Sequence, residues 1–176
     1  VRDDNTKPLY MIGCINEIGE RQKADNVSGL LGETGLRQYM DQQDTPLETG
    51  YLLRIGIDHF KEINDNFGQE YGDFVLRKTA DCISGCISEA QKVYKLVADE
   101  FLILDVSSDE VKDADKLYDK VRNEIDRFIE SNEFKVMYTV SGGIVPFAAL
   151  KGNQYSEALK LTDFALNEAK KLGRNR

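Results

Sequence analysis

The sequence lacks several features that mark well-known classes of protein. No hydrophobic run approaches the roughly 18 residues that a membrane-spanning helix requires. Basic residues number 23 against 31 acidic ones, and the resulting net charge of −8 argues against a nucleic-acid-binding surface. The first residues carry no signal-peptide pattern, and we expect a cytoplasmic location. With 41% hydrophobic and 31% charged residues, the composition is typical of a soluble globular domain.

Residues that commonly bind metals through sulfur or imidazole are also scarce. The three cysteines, Cys14, Cys82 and Cys86, have no metal-ligand spacing. Cys82 and Cys86 are four residues apart on a predicted helix, so we interpret them as small buried hydrophobic residues in a reduced cytosol. His59 is the only histidine and has no cysteine or histidine companion. We assign it neither a metal nor a catalytic proton.

Hydrophobic periodicity predicts alternating strands and helices over the 176 residues, which suffice for one ordinary domain. The predicted strands are 9–15, 51–57, 92–96, 101–106 and 135–145. The predicted helices are 33–40, 60–67, 74–87, 109–129 and 155–172. Because two strands join directly through a hairpin near residue 98, we expect an α+β fold with a central, mostly antiparallel sheet flanked by helices.

Four separated motifs follow one another along the chain. They are Ser28-Gly29-Leu30, the segment 57–65 followed by Gly68 and Gly72-Asp73, the run Val97-Ala98-Asp99-Glu100-Phe101, and the segment 163–170 followed by Gly173-Arg174-Asn175. In this order they resemble the GGDEF family of bacterial diguanylate cyclases. The resemblance implies a fold similar to the nucleotidyl cyclase palm. It also implies a reaction in which two facing domains condense two GTP molecules to cyclic di-GMP with Mg²⁺.

The resemblance further implies a set of nucleotide-binding residues. Asn64 and Asp73 match the positions that bind the guanine base, for which an amide and a carboxylate are suited. Three cations match the positions that contact the triphosphate, namely Lys61, Lys170 and Arg174. Phe60 is the aromatic residue expected to pack beneath the ligand. Structural alternatives remain open, namely that Asn64 is a helix-end residue and that Asp73 caps the helix that follows it.

The positions that match the family's metal site are incomplete. Gly56 stands where the family has its first metal-binding aspartate, and glycine has no side-chain ligand. The Ile57 carbonyl and the Asp99 carboxylate remain as ligands for Mg²⁺ or Mn²⁺ if a nucleotide is bound. Asp58 would replace the missing aspartate only if the backbone moved by one strand period.

The hairpin motif is also altered. Val97 and Ala98 replace two glycines at a tight tip where positive φ and close nucleotide approach favour glycine. Glu100 remains as a residual catalytic carboxylate. The family's inhibitory Arg-x-x-Asp motif is absent, since residues 88–91 read Ser-Glu-Ala-Gln, and we expect no inhibitory product site.

We therefore predict a degenerate GGDEF domain over residues 27–176 that binds GTP as a regulatory module, with little or no cyclase activity. The alternatives are a weakly active diguanylate cyclase and a dimerisation module that binds no nucleotide. Residues 1–26 are predicted to be a strand and linker. Within them, the run from Glu17 to Arg21 resembles the exit of a PAS-type sensor. The expected partners are GTP, an upstream sensory domain, a downstream phosphodiesterase domain and a second copy of the chain.

Overall fold

The computed structural model describes residues 24–108, 110–133, 136–151 and 154–176. The strands in these ranges are β1 (Leu31–Gly32), β2 (Tyr51–Ile57), β3 (Gln91–Lys95), β4 (Glu100–Asp105) and β5 (Val140–Pro146). The α-helices are α1 (Glu33–Asp41), α2 (Phe60–Phe67), α3 (Gln69–Cys86), α4 (Val111–Phe128) and α5 (Gln154–Lys171). None of these helices is both long and apolar enough to cross a bilayer.

The five strands form one sheet in the order β1-β3-β4-β2-β5. Only the short β1 runs parallel to its neighbour β3, and the other three pairings are antiparallel. This arrangement confirms the expected α+β fold with a mostly antiparallel sheet. β2 lies between β4 and β5, so its C-terminal end is surrounded by elements distant in sequence.

Helices cover both faces of the sheet because successive strand residues point to opposite sides. On one face, Leu53, Ile55 and Ile103 pack with residues of α3 and α4. On the other face, Leu52 and Leu102 pack with α1 and α5. The second of these hydrophobic clusters holds α5 against β2, at whose C-terminal end the candidate site lies.

The short strand β1 was not predicted, and two elements start five residues from their predicted start, whereas all other bounds of the predicted elements in the described residues agree within two residues. α3 begins at Gln69, five residues before the predicted start, directly after Gly68 with φ of +86°. β5 begins at Val140 rather than at residue 135. The last residue of β2, Ile57, pairs with Val140, so residues 136–139 have no partner in β2 with which to form a ladder. The strand predicted at residues 9–15 lies outside the described residues.

Cys82 and Cys86 are buried in α3 and form no disulfide, as expected of small hydrophobic residues. Burial raises the pKa of the Cys82 thiol to about 11 and also raises that of Cys86. Neither thiol is therefore activated as a nucleophile.

Candidate functional site

Several predicted site residues converge at the C-terminal end of β2. The Ile57 amide donates a hydrogen bond of 3.3 Å to the carbonyl of Asp99 and so ties β2 to the hairpin. Lys170, near the end of α5, reaches the same point from one face of the sheet. α2 and α3 begin just beyond it. We call the region where β2, the β3–β4 hairpin and α5 meet, together with the neighbouring α2 and α3, the cleft.

The predicted base-binding side of the cleft contains an unsatisfied polar atom. Asn64 Oδ1 is buried and has no hydrogen-bond partner. A Cβ added at Gly72 would lie 1.8 Å from this oxygen and 3.3 Å from Cζ of Phe60. Only glycine therefore allows α3 to approach α2 so closely. An unpaired buried acceptor is costly, and the described residues supply no donor to this oxygen.

The structure bears differently on the structural alternatives for the two base-binding candidates. Asn64 lies in the last turn of α2, where its carbonyl accepts the amide of the C-cap residue Gly68 at 2.9 Å, so it is a residue of the helix end. Asp73 lies in the second turn of α3, four residues beyond the helix start at Gln69, so it is not an N-cap. The assignment of both residues to guanine remains a prediction.

The three predicted phosphate-binding cations differ in their surroundings. Lys61 and Arg174 are exposed and have no ion-pair partner among the described residues. Lys170 is only 24% exposed at its side chain and forms an ion pair with Asp99 at 3.7 Å. The first two are therefore available to an anion from solution, whereas Lys170 is already partly neutralised.

Arg174 lies on a C-terminal segment that Asp58 holds in place. The buried Asp58 carboxylate accepts hydrogen bonds from Thr139 Oγ1 at 2.6 Å, Ser141 Oγ at 2.7 Å and the Asn175 amide at 3.2 Å. With these bonds, Asp58 joins the end of β2 to β5 and to the segment after α5. Its side chain is committed to this junction, and sequence analysis assigned it no such role.

At the hairpin tip, only one of the two substituted positions has the backbone conformation that favours glycine. Ala98 has φ of +52°, in the left-handed region that favours glycine, but Val97 does not have positive φ. The side chain of Val97 is 64% exposed and borders a cavity of about 690 Å³. Buried Lys95 supports the tip through bonds from Nζ to the carbonyls of Leu96 at 2.9 Å and Ala98 at 2.5 Å.

The predicted metal position is occupied by an ammonium group. A Cβ at Gly56 would lie 2.9 Å from Nζ of Lys170 and 3.1 Å from Cδ2 of Leu166. The same Nζ pairs with Asp99. Burial raises the pKa of the Asp99 carboxyl above its usual value, and the nearby Lys170 charge opposes this rise. No cluster of three or more histidine, cysteine or acidic ligands occurs in the described part of the chain. These residues do not fit a divalent ion, which prefers several anionic oxygen ligands.

Arg54 is a site residue that sequence analysis missed. It lies in the middle of β2, and both Nε and Nη2 donate to Oε2 of Glu100, at 2.7 and 2.5 Å. Nη1 donates to the Leu159 carbonyl at 3.1 Å, and Asp163 lies 3.4 Å away. The only sequence signal was an arginine within the apolar run Tyr-Leu-Leu-Arg-Ile-Gly-Ile. Glu100, the residual catalytic candidate, is thus held by an internal cation.

The mostly antiparallel sheet flanked by helices, with Ile57, Asp99 and Lys170 together at the end of β2, is the arrangement that the sequence motifs predict. The model of the family described as "Diguanylate cyclase, GGDEF domain" matches residues 23–176, and the chain belongs to this family.

Among curated proteins, the chain is 28% identical to diguanylate cyclase VdcA of Vibrio cholerae over 86% of this chain and 45% of VdcA. It is 29% identical to diguanylate cyclase DgcZ of Escherichia coli over 89% of this chain and 53% of DgcZ. The chain thus spans about half the length of these relatives. The solved structure of the coiled coil and GGDEF domain of Caulobacter crescentus DgcB, in complex with c-di-GMP, has the same fold. The TM-score is 0.79 at 22% identity, over 95% of this chain and 90% of that one.

Proposed function

We propose that this domain is a GTP-binding regulatory module of cyclic di-GMP signalling with little or no cyclase activity of its own. The observation that carries the proposal is the buried Oδ1 of Asn64, which lacks a partner in the cleft between α2 and α3. A ring or amino N–H of guanine would supply the missing hydrogen bond. Asp73 on α3 would accept the neighbouring N–H groups of the same base edge.

The anionic end of GTP would extend toward the exposed cations of the cleft. Lys61 on α2 and Arg174 beyond α5 are suited to phosphate oxygens, one as a compact ammonium and the other as a planar fork. Asp58 has a positioning role in this arrangement, because it fixes the segment that carries Arg174. The chain therefore retains the side chains that would bind and orient a nucleotide.

The groups expected to stabilise a cyclisation transition state are, in contrast, already engaged. Glu100 is bonded to Arg54, Asp99 is paired with Lys170, and Gly56 contributes no carboxylate. Removal of one electrostatic contributor from an active site typically costs on the order of 10²- to 10³-fold in rate. Several such losses in one site support the proposal of a domain that binds GTP with little or no turnover.

The test is calorimetric titration of GTP into the domain, with ATP as the comparison nucleotide. We expect saturable binding of GTP, weaker binding of ATP and no accumulation of cyclic di-GMP. Asn64→Ala and Asp73→Ala should each weaken GTP binding by about tenfold, equivalent to one hydrogen bond of about 1.4 kcal/mol. The matched control is Asn66→Ala, an exposed asparagine on the same helix, which should leave the affinity unchanged. Unchanged affinity in the Asn64 and Asp73 variants would overturn the assignment.

A weakly active cyclase is the second candidate, and the names of the relatives VdcA and DgcZ favour it. It requires sustained production of cyclic di-GMP that Glu100→Ala abolishes. A dimerisation module is the third candidate, and a melting temperature indifferent to GTP would favour it. For the complete protein we propose an upstream sensor, a downstream phosphodiesterase domain and a homodimer, with GTP occupancy passed to the neighbouring domain.

A further inference from the structure

The two hairpin carboxylates each face a cation from the same chain. Asp99 Oδ2 lies 3.7 Å from Lys170 Nζ, and the side chains are 18% and 24% exposed. Glu100 Oε2 lies within 2.7 Å of both Nε and Nη2 of Arg54, whose side chain is 7% exposed. With Asp163 at 3.4 Å from Arg54 and the Lys95 ammonium on the hairpin carbonyls, three negative and three positive charges lie together at the hairpin, and the group is close to neutral.

The end of the Lys170 side chain lies in the space that a side chain at residue 56 would take. Its Nζ and Cε would lie 2.9 and 3.3 Å from a Cβ built on Gly56. Both separations are closer than ordinary contact between such atoms. The ammonium thus fills the space in which a side chain of residue 56 would begin, on the face of β2 that α5 covers.

We propose that Lys170 and Arg54 are built-in cations that neutralise the hairpin carboxylates, so that the cleft binds nucleotide phosphates without a divalent ion held by the protein. This inference rests on the proposed function, because it describes how the same cleft receives GTP. A divalent ion requires several oxygen ligands with uncompensated negative charge. Here Asp99 and Glu100 are compensated, and the Lys170 ammonium would repel an incoming ion.

The same arrangement gives Lys170 two roles. An ammonium has three N–H donors, and one ion pair at 3.7 Å leaves donors free for phosphate oxygens. Lys170 would therefore balance Asp99 and also contact the nucleotide. In this respect it differs from Lys61 and Arg174, which have no ion-pair partner among the described residues.

The first experiment titrates Mn²⁺ into the nucleotide-free protein and counts bound ions by electron paramagnetic resonance. We expect no stoichiometric site in the wild-type chain. Gly56→Asp/Lys170→Met should create one, with an affinity at least about tenfold above background, because Asp99 and a second carboxylate at position 56 then lie together without the Lys170 ammonium. Adding Asp99→Asn to Gly56→Asp/Lys170→Met should remove it again. The control Lys171→Met changes an exposed lysine on the same helix and should behave as wild type.

A stoichiometric Mn²⁺ site in the wild-type protein that Asp99→Asn abolishes would overturn the inference. Failure of Gly56→Asp/Lys170→Met to gain a site, with the fold intact by circular dichroism, would also overturn it. These outcomes do not depend on whether GTP binds, so they test the built-in cations separately from the proposed function.

The second experiment uses the unmodified protein and compares GTP binding in EDTA with binding in excess Mg²⁺. We expect saturable binding in both solutions, with affinities that agree within about threefold. Binding that occurs only with Mg²⁺ would overturn the built-in cations and leave the GTP-binding proposal intact. Absence of binding in both solutions would overturn the proposed function, and with it the nucleotide part of this inference.

Discussion

The ion pair between Arg54 and Glu100 should be among the most expensive interactions in the domain to break. Arg54→Met keeps an apolar stem in β2 but leaves a carboxylate that is only 16% exposed without its cation. It also removes a donor from the Leu159 carbonyl. Breaking a buried pair by deleting one partner costs about 3–5 kcal/mol. Because Glu100 retains some solvent access, we expect the lower end, about 3 kcal/mol of unfolding free energy.

A double-mutant cycle separates the pair from the rest of the Arg54 environment. Glu100→Gln removes the negative charge and keeps the shape of the side chain. Arg54 retains Asp163 at 3.4 Å, so we expect Glu100→Gln to cost less unfolding free energy than Arg54→Met. The double variant Arg54→Met/Glu100→Gln leaves neither charge unpaired. We expect it to be less destabilised than the sum of the single variants by at least about 1 kcal/mol.

The measurement is urea unfolding followed by far-ultraviolet circular dichroism, with thermal unfolding as a second readout. A loss of about 3 kcal/mol corresponds to a decrease in Tm of roughly 6–12 °C for a chain of this size. The control pair is Arg127 with Glu124 on α4, whose side chains are 74% and 41% exposed. Its coupling should be below about 1 kcal/mol. Additive effects at Arg54 and Glu100, or a loss below about 1 kcal/mol for Arg54→Met, would refute the reasoning.

Two further predictions concern the hairpin and the buried phenols. Ala98→Gly should stabilise the chain by about 0.5–1 kcal/mol, because φ of +52° is costly for alanine. The control Ala90→Gly changes a residue whose φ is not positive and should not stabilise the chain. Burial raises the pKa of Tyr94 and of Tyr118 to about 12, so the stability that these phenols contribute is complete below pH 10 and decreases as pH rises toward 12. Because the chain has eight tyrosines and no tryptophan, the measurement is the difference in tyrosinate absorbance between the wild-type chain and Tyr94→Phe/Tyr118→Phe. This difference should appear together with unfolding, and its appearance in the folded chain would contradict the prediction.

Most of the fold could be predicted from the sequence because its elements have clear hydrophobic periods. β2 was predicted over its full extent, and α2 was predicted with both of its ends. The start of α3 was missed because residues 69–73 are mostly polar or glycine and have little apolar periodicity. The start of β5 was missed because it depends on where β2 ends, which is a property of the pairing and not of the strand itself.

The candidate site was less predictable because its key contacts join residues far apart in the chain. The partners of Arg54 are Glu100, Leu159 and Asp163, between 46 and 109 residues away. Those of Asp58 lie more than 80 residues away. Local patterns identify which residue types are present, but they do not reveal which cation compensates which carboxylate.

The departures from the family motif belong to a connected set of contacts. At the sequence level, the glycine at position 56 is a lost metal ligand and nothing more. In the structure, the same glycine leaves space for the Lys170 side chain. The Lys170 ammonium compensates the charge of Asp99, which would otherwise repel the neighbouring Glu100 carboxylate. Arg54 compensates Glu100 in turn. Restoring an aspartate at position 56 alone would therefore place a carboxylate against Lys170 without freeing Asp99 or Glu100. We expect that single reversion to restore no cyclase activity, and cyclic di-GMP production by Gly56→Asp alone would show that the internal cations do not control the site.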